Sequence, residues 1–196
     1  ILDLSRRWGT YLVGGDLARG AERTVASLTI VGRADESQVV RRAGARDGDG
    51  FWATGVFGRS LPTGHHIDFE PRIREGRWLA EQGIAGAMID VSDGLLIDAG
   101  RLCRASGVGL FLDVQSVPRR TSETTIEEAL TDGEDYELLF AVRKEKEDRL
   151  RHDWPFPELP LTRLGKFRSS ASPGVFDRSG FPLELKGPPG WDHFRR

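Results

Sequence analysis

The feature that most constrains this chain is an apolar segment that runs into two closely spaced acids and then into a helical pattern. Residues 87–91 predict a short strand, and Asp90-Val91-Ser92-Asp93-Gly94 follows at its end. Beyond the turn, Leu95, Ala99, Leu102, Cys103 and Ser106 mark one face of a helix that stops at Gly107. Backbone N–H groups converge where a strand meets a helix, and the helix dipole favours anions there.

Two interpretations of this turn stay open from the residues alone. In the first, Asp90 and Asp93 hold Mg²⁺, which bridges carboxylate oxygens to phosphate oxygens, because hard divalent cations choose oxygen ligands. In the second, Ser92 only caps the helix and Asp93 interacts favourably with its first turn.

Composition excludes several classes of function. The 196 residues carry a net charge of −2 and a sequence pI of about 6.1, which argues against nucleic-acid or acidic-membrane partners. The single cysteine, Cys103, excludes an internal disulfide framework and a thiolate zinc cluster, and favours a reducing, cytoplasmic location. Cys103 lies on the apolar helix face, which favours a packed thiol over a nucleophile. No apolar run reaches the roughly 18 residues of a membrane-spanning helix.

Strand and helix patterns alternate along the chain, which predicts an α/β (α+β) fold with a mixed sheet. Residues 33–50 are polar and glycine-rich, and predict a linker between two domains. A hairpin is predicted at the C-terminal end, with its turn at 177–180. The predicted helices are 2–8, 71–82, 95–106, 125–130 and 144–152, and the predicted strands are 11–13, 24–32, 51–54, 87–91, 108–114, 136–142, 161–167 and 175–185.

Acidic residues recur in four glycine-rich or strand-end segments: 14–16, 90–93, 133–135 and 191–194. Each segment alone is typical of a turn, but together they suit phosphoryl transfer driven by positioning and metal ions. The chain has no Walker-type loop and no Gly-x-Ser-x-Gly nucleophile elbow. The adjacent His65 and His66 would point apart in a helix or strand, which argues against a two-histidine metal site.

Six segments, taken in order, resemble the thiamine-monophosphate kinases of the aminoimidazole-ribonucleotide synthetase superfamily. The Asp-x-Ser-Asp-Gly turn is shared across that superfamily, whereas Gly-Glu-Asp-Tyr-Glu-Leu and the terminal Asp-His-Phe are more particular to the thiamine-phosphate branch. The segments are LVGGDLARG (12–20), RAGARDGD (42–49), EPRIREGRWL (70–79), AMIDVSDGLLIDAGRLCRASGVGLFLDV (87–114), ALTDGEDYELLFAV (129–142) and KGPPGWDHF (186–194).

The resemblance implies transfer of the ATP γ-phosphoryl group to thiamine monophosphate, by a cytoplasmic homodimer. No side chain is implied as a general base, because a phosphate acceptor is already anionic. The implied Mg²⁺ ligands are Asp16, Asp90 and Asp93. The implied ATP contacts are Gly15, Ser92 and Arg42, with Arg41 as an open alternative to Arg42. The implied thiamine-phosphate contacts are Glu134 and Trp191; for Trp191, packing on the sheet is the alternative.

The resemblance also implies a domain division. Residues 1–33 would end an N-terminal ATP-binding and dimerisation domain, and 34–196 would form a C-terminal PurM-like domain. The family's N-terminal Gly-Asp-Asp region is not in this sequence, so we expect the 196-residue chain alone not to turn over. The sequence departs from the family at Leu17-Ala18-Arg19, at Arg59 and at Thr131-Asp132. Two alternatives remain: another ATP-dependent member of the superfamily, or an inactive, truncated binding module.

Overall fold

The computed structural model describes residues 1–19, 24–170, 172–183, 185 and 187–190. The chain divides into two compact units, Ile1–Arg33 and Ala34–Arg196. The division falls at the predicted domain boundary. The assignment of the first unit to the end of an ATP-binding domain stays a prediction.

The first unit contains one short helix, α1 (Leu2–Arg7). The strands predicted at 11–13 and 24–32 are wrong, because the described residues of this unit form no strand. Val25, Leu28 and Ile30 are instead largely exposed. A β-branched run becomes a strand only when a neighbouring strand takes up its backbone hydrogen bonds, and no such neighbour is present among these residues.

The second unit is built on one six-stranded mixed sheet in the order β2-β4-β1-β5-β3-β6. Every pairing is antiparallel except that of β3 with β6, which confirms the predicted fold class. The strands are β1 (Gly50–Thr54), β2 (Ala85–Asp90), β3 (Val108–Leu112), β4 (Leu138–Val142), β5 (Leu161–Ser169) and β6 (Gly174–Phe176). The helices are α2 (Ser60–Thr63), α3 (His65–Asp68), α4 (Ile73–Glu81), α5 (Leu95–Ser106), α6 (Ile126–Thr131) and α7 (Glu147–Asp153).

Apolar side chains cover both faces of the sheet. On one face the α5 residues Leu95 and Leu102 pack in a cluster that includes Phe51 of β1. The next residue of β1, Trp52, points the other way and belongs to a second cluster with residues of α4 and α7. Successive strand residues face opposite sides of a sheet, so one short strand contributes to both clusters. The sheet is therefore held rigidly between helices, as a scaffold for its loops.

Strand pairing brings the two acidic loops together. Strands β2 and β4 are antiparallel, and Asp90 at the end of β2 lies opposite Leu138 at the start of β4. The residues that follow β2 and the residues that precede β4 therefore emerge at the same end of the sheet. Those residues are 91–94 and 132–137.

Part of the segment predicted as a linker, 33–50, packs against the rest of the second unit. Residues 44–50 are not a free linker, because Asp49 is buried and the Ser106 hydroxyl accepts the backbone N–H groups of Gly44 and Ala45. The helix α5 ends at Gly107 in the left-handed region, as predicted. The hairpin turn at 177–180 is also present, closed by a bond from the Asp177 amide to the Phe181 carbonyl. Among the described residues, no helix is long and apolar enough to cross a membrane.

Candidate active site

Two loops of the second unit dock backbone against backbone; we name them the acid turn (90–94) and the facing loop (132–136). The amide of Glu134 donates to the carbonyl of Ser92 at 2.9 Å, and the amide of Tyr136 donates to the carbonyl of Val91 at 2.8 Å. A Cβ on Gly133 would lie 2.5 Å from the Ser92 carbonyl oxygen, a distance that real Cβ atoms essentially never show. The sequence motif therefore needs glycine at 133 for the loops to approach.

The buried carboxylate of Asp98 holds the acid turn in shape. Its Oδ2 accepts the backbone N–H groups of Ser92 and Asp93, each at 3.0 Å, and its Oδ1 accepts Nη1 of Arg101 at 2.5 Å. Burial raises the pKa of Asp98, and these bonds oppose the shift. The backbone N–H groups of Ser92 and Asp93, which the sequence suggested for an external anion, thus donate instead to a carboxylate of the chain itself.

The helix-cap interpretation of Ser92 is wrong. The residue at the N-cap of α5 is Gly94, with φ 127°, and no side chain caps the helix. A Cβ on Gly94 would lie 2.8 Å from the carbonyl oxygen of Thr131, so backbone proximity and conformation both select glycine there.

Arg101 links the two acids of this region, and sequence reasoning missed both it and the role of Asp98. Its Nη2 lies 2.5 Å from Oδ2 of Asp93, while its Nη1 bonds Asp98. The spacing carried a signal that could have identified Asp98. It lies three residues after Leu95 and four before Leu102, which places it on the buried face of α5. A carboxylate there must have partners, and Arg101 lies one turn onward.

Strain concentrates in the facing loop. Glu134 and Tyr136 have φ values of 67° and 53°, the left-handed region that non-glycine residues rarely adopt. This conformation costs about 1–2 kcal/mol per residue. Besides its two bonds to the acid turn, the loop is held by Ser60, whose hydroxyl donates to the carbonyl of Glu134 at 2.5 Å. Such strain persists only where the surroundings fix it, which is typical of functional sites.

The hydroxyl of Tyr136 bonds one carboxylate and lies in the electrostatic field of two more. The hydroxyl donates to Oε2 of Glu134 at 2.7 Å. Burial, together with the carboxylates of Glu134, Asp90 and Asp93, raises the pKa of Tyr136 to about 12. The phenol therefore keeps its proton at neutral pH and acts as a hydrogen-bond donor. Together with the docking of the two loops, these interactions place three of the predicted site residues in one region.

Asp135, the third residue of Gly-Glu-Asp, has a structural role. It is buried and accepts the amide of Gly58 and, at 2.7 Å, Nη2 of Arg120. Burial raises its pKa to about 6, against the opposing effect of Arg120. The neighbouring Glu137 is buried too, and Arg72 donates to both of its oxygens, at 2.6 and 2.8 Å. Asp135 and Glu137 are therefore buried, arginine-bonded supports of the facing loop and do not face solvent.

Some predicted residues are brought together and others are not. Asp90, Ser92, Asp93 and Glu134 all lie on the two docked loops. Gly15 and Asp16 belong to the first unit, in a segment without regular structure, so their part in this site stays a prediction. Trp191 lies outside the described residues.

Arg41 and Arg42 lie beside β2, and both side chains are exposed. The Arg41 carbonyl accepts the amide of Met88, two residues before Asp90, at 3.0 Å. The Arg42 carbonyl accepts the hydroxyl of Ser106, at the end of α5 that is remote from the acid turn. The backbone of Arg41 thus pairs with the strand that leads into the acid turn, whereas that of Arg42 contacts the end of α5, and the choice between the two side chains stays open.

The donor chemistry of the site suits Mg²⁺ only in part. Carboxylate oxygens are ligands that Mg²⁺ prefers, but in the described ranges no three His, Cys, Asp or Glu side chains are grouped so as to hold a metal. Magnesium is commonly held by one or two carboxylates together with substrate phosphates and water. Asp90 and Asp93 would supply such a partial set.

Two of the departures noted from sequence meet at the edge of the facing loop. The amide of Arg59 donates to Oδ2 of Asp132 at 2.8 Å, and the Arg59 guanidinium lies 3.7 Å from Oε1 of Glu128. Arg59 also adopts a left-handed conformation, with φ 56°. The changes at these positions thus supply a local contact that anchors the loop.

Comparison with known proteins agrees with this architecture. Residues 54–177 match the family model described as "AIR synthase related protein, C-terminal domain". A thiamine-monophosphate kinase of Rhodopirellula baltica is 34% identical over 176 residues, which are 85% of this chain and 54% of that protein. The resemblance found from the motifs is thereby confirmed.

Solved structures give the same result. The thiamine-monophosphate kinase of Stenotrophomonas maltophilia K279a has a TM-score of 0.66 at 28% identity, covering 76% of this chain and 55% of that one. A structure described as "AaThiL complexed with AMPPCP and TMP" has a TM-score of 0.60 at 30% identity, covering 79% and 54%. The chain thus spans little more than half the length of these relatives.

Proposed function

The chain belongs to the AIR synthase related family through its C-terminal domain, and from that premise we propose that it is part of an ATP-dependent thiamine-monophosphate kinase. The observation that carries the proposal is the docking of the acid turn, which holds Asp90 and Asp93, against the facing loop, which holds Glu134. The charges of all three carboxylates act on the hydroxyl of Tyr136. The relatives named for this activity, and one bound to AMPPCP and TMP, support it.

In the proposed reaction, an oxygen of the thiamine phosphate attacks the γ-phosphorus of ATP. The bond between that phosphorus and the bridging oxygen of the β-phosphate breaks, and ADP leaves. No general base is needed, because the attacking oxygen is already anionic. The chain's contribution is therefore positioning and electrostatic stabilisation.

We assign Asp90 and Asp93 of the acid turn, together with Asp16, as ligands of Mg²⁺. The metal supplies charge neutralisation between two polyanions that would otherwise repel each other. Gly15, Ser92 and one of Arg41 and Arg42 are assigned to ATP.

Glu134 and Trp191 are assigned to thiamine phosphate. The carboxylate and the aromatic ring would match the positive charge of the thiazolium. We also propose a cytoplasmic location, since the sole cysteine is a buried free thiol. The homodimer is proposed from the family resemblance alone.

The test compares the natural protein that contains this chain with its Asp93→Ala variant, using ATP and thiamine monophosphate. We expect thiamine diphosphate from the natural protein and at least a roughly hundredfold loss in the variant. Asp148→Ala is the matched control, because Asp148 is fully exposed and pairs with Arg151 on its own helix. Normal turnover by Asp93→Ala would contradict the metal assignment.

A second comparison tests the partial length of the chain. We expect the purified 196-residue chain to form no thiamine diphosphate under the conditions in which the natural protein does. Sustained turnover by the chain alone would show that the 196 residues hold a complete site.

A further inference from the structure

The strained residue Tyr136 has two contacts that the proposed reaction does not yet use. Its hydroxyl holds the Glu134 carboxylate at 2.7 Å, and its ring stacks on Phe69, with the centroids 4.1 Å apart and the planes inclined by 22°. Neither aromatic side chain is fully buried. An aromatic pair that is partly open to solvent and carries a carboxylate at its edge is suited to a flat, positively charged ligand.

We propose that Phe69 and Tyr136 form an aromatic shelf for the cationic ring of the substrate, and that Tyr136 is the residue that positions Glu134 against that ring. This inference rests on the proposed function, which supplies a thiazolium as the cation. It adds a specificity element on the described part of the chain, beside the Glu134 carboxylate.

The surroundings of the shelf favour a cation on charge grounds. The carboxylates of Asp90, Asp93 and Glu134 all act on the Tyr136 hydroxyl. Asp93 is paired with Arg101, whereas the Asp90 residue is exposed at the end of β2. A neutral ring on the same shelf would gain only stacking, so the carboxylates would select the charged ring over a neutral ring of equal shape.

The neighbouring contacts fix the shelf in place. Nε2 of His65 lies 3.0 Å from the carbonyl oxygen of Asp135, and its ring centroid lies 6.3 Å from that of Phe69. Burial lowers the pKa of His65, so the imidazole is neutral at physiological pH and adds no competing positive charge. The backbone bond of Tyr136 to Val91 ties the shelf to the acid turn.

The experiment uses the natural protein that contains this chain, with the variants Tyr136→Phe and Phe69→Leu. Tyr136→Phe keeps the ring and its stack but removes the hydroxyl, so it isolates the positioning of Glu134. Phe156→Leu is the matched control for Phe69→Leu, because Phe156 packs edge-on against Trp154 in the other apolar cluster.

Calorimetry measures binding of thiamine monophosphate and of an isostere whose ring nitrogen is replaced by neutral carbon. For Tyr136→Phe we expect about tenfold weaker binding of the cation, since a bond to a charged group is lost. For Phe69→Leu we expect roughly threefold to tenfold weaker binding. For Tyr136→Phe, binding of the isostere should change by less than about twofold. For Phe69→Leu, the isostere should lose less affinity than the cation, because it loses only stacking. The KM for ATP should change by less than about twofold in both variants.

The outcomes separate this inference from the proposed function. If the protein makes thiamine diphosphate but both variants bind the cation as the parent does, the shelf is refuted and the function stands. Equal losses for the cation, the isostere and ATP would show a merely structural role and also refute it. Variant-sensitive binding without phosphoryl transfer would support the shelf and contradict the kinase. Absence of any thiamine monophosphate binding by the parent protein would overturn both.

Discussion

Replacing Asp98 with alanine should lower the free energy of unfolding of the second unit by about 2–4 kcal/mol. Three bonds of the Asp98 carboxylate are lost, two of them from the backbone amides of Ser92 and Asp93. A buried donor left without an acceptor costs about 1–3 kcal/mol. Arg101 loses less, because it is partly exposed and keeps Asp93 as a partner.

The raised pKa of Asp98 agrees with this expectation. The raised pKa means that burying the negative charge of Asp98 costs free energy. Removing the carboxylate costs free energy as well, because the donors that bonded it lose their acceptor. Asp98→Asn should therefore cost less than Asp98→Ala, because an amide oxygen can still accept at least one of the two backbone bonds.

Urea unfolding followed by tryptophan fluorescence measures both variants. A loss of this size corresponds to roughly 5–15 °C in Tm for a chain of this length. Asp148→Ala is the control at an exposed, within-helix ion pair, where we expect a change under about 0.5 kcal/mol. If Asp98→Ala cost no more than Asp148→Ala, Asp98 would not support the acid turn.

Three further predictions follow from close contacts and burial. Gly133→Ala should force the two loops apart and cost about 2 kcal/mol or more, whereas Gly76→Ala, whose Cβ meets only side chains at 3.6 Å and beyond, should stabilise α4 by about 0.5–1 kcal/mol. Cys103 should react with a thiol reagent only on unfolding, because burial raises its pKa to about 12. Asp135 has a raised folded pKa of about 6, so its contribution to stability is present at low pH and is lost as pH rises from about 4 to about 6.

Each of these has a distinguishing measurement. Urea unfolding at several pH values should show a larger stability advantage of wild type over Asp135→Asn at about pH 4 than at about pH 7; an advantage that grows with pH would contradict the raised pKa. Equal stability of Gly133→Ala and Gly76→Ala would contradict the close docking of the loops. Rapid labelling of Cys103 in the native protein would contradict its burial.

The strand and the helix on either side of the acid turn could be predicted from sequence, because the patterns that specify them lie within a few residues. The apolar run before Asp90, the helical spacing after it and Gly107 each encode an element within a few residues. The pairing of β2 with β4, which brings Glu134 beside Ser92, is a long-range contact that no local pattern specifies. The resemblance to a known family indicated instead that Ser92 and Glu134 belong to one site.

The prediction failed where long-range contacts override local preference. Residues 24–32 have strong strand preference, yet they form no strand, because propensity without a hydrogen-bonded neighbour is weak. Asp135 belongs to a glycine-rich segment that is typical of a turn, and nothing in that segment indicates that Asp135 is buried and bonded by Gly58 and Arg120, which are distant in sequence. Tyr136 adopts the left-handed conformation in a loop whose backbone bonds Val91, and its residue type gives no sign of it.

The acids of this region fall into two groups with different physical consequences. Asp98, Asp135 and Glu137 are buried and each bonds an arginine, so their charges are compensated and they act as supports for the loops. Asp90 and Glu134 lie nearer the surface, at the meeting point of the two loops. A negative potential repels phosphates and attracts cations. Nucleotide phosphates can therefore bind there only with accompanying cations, whereas a positively charged ring is attracted directly, so one cluster of acids accounts for both the metal dependence and the choice of acceptor that we propose.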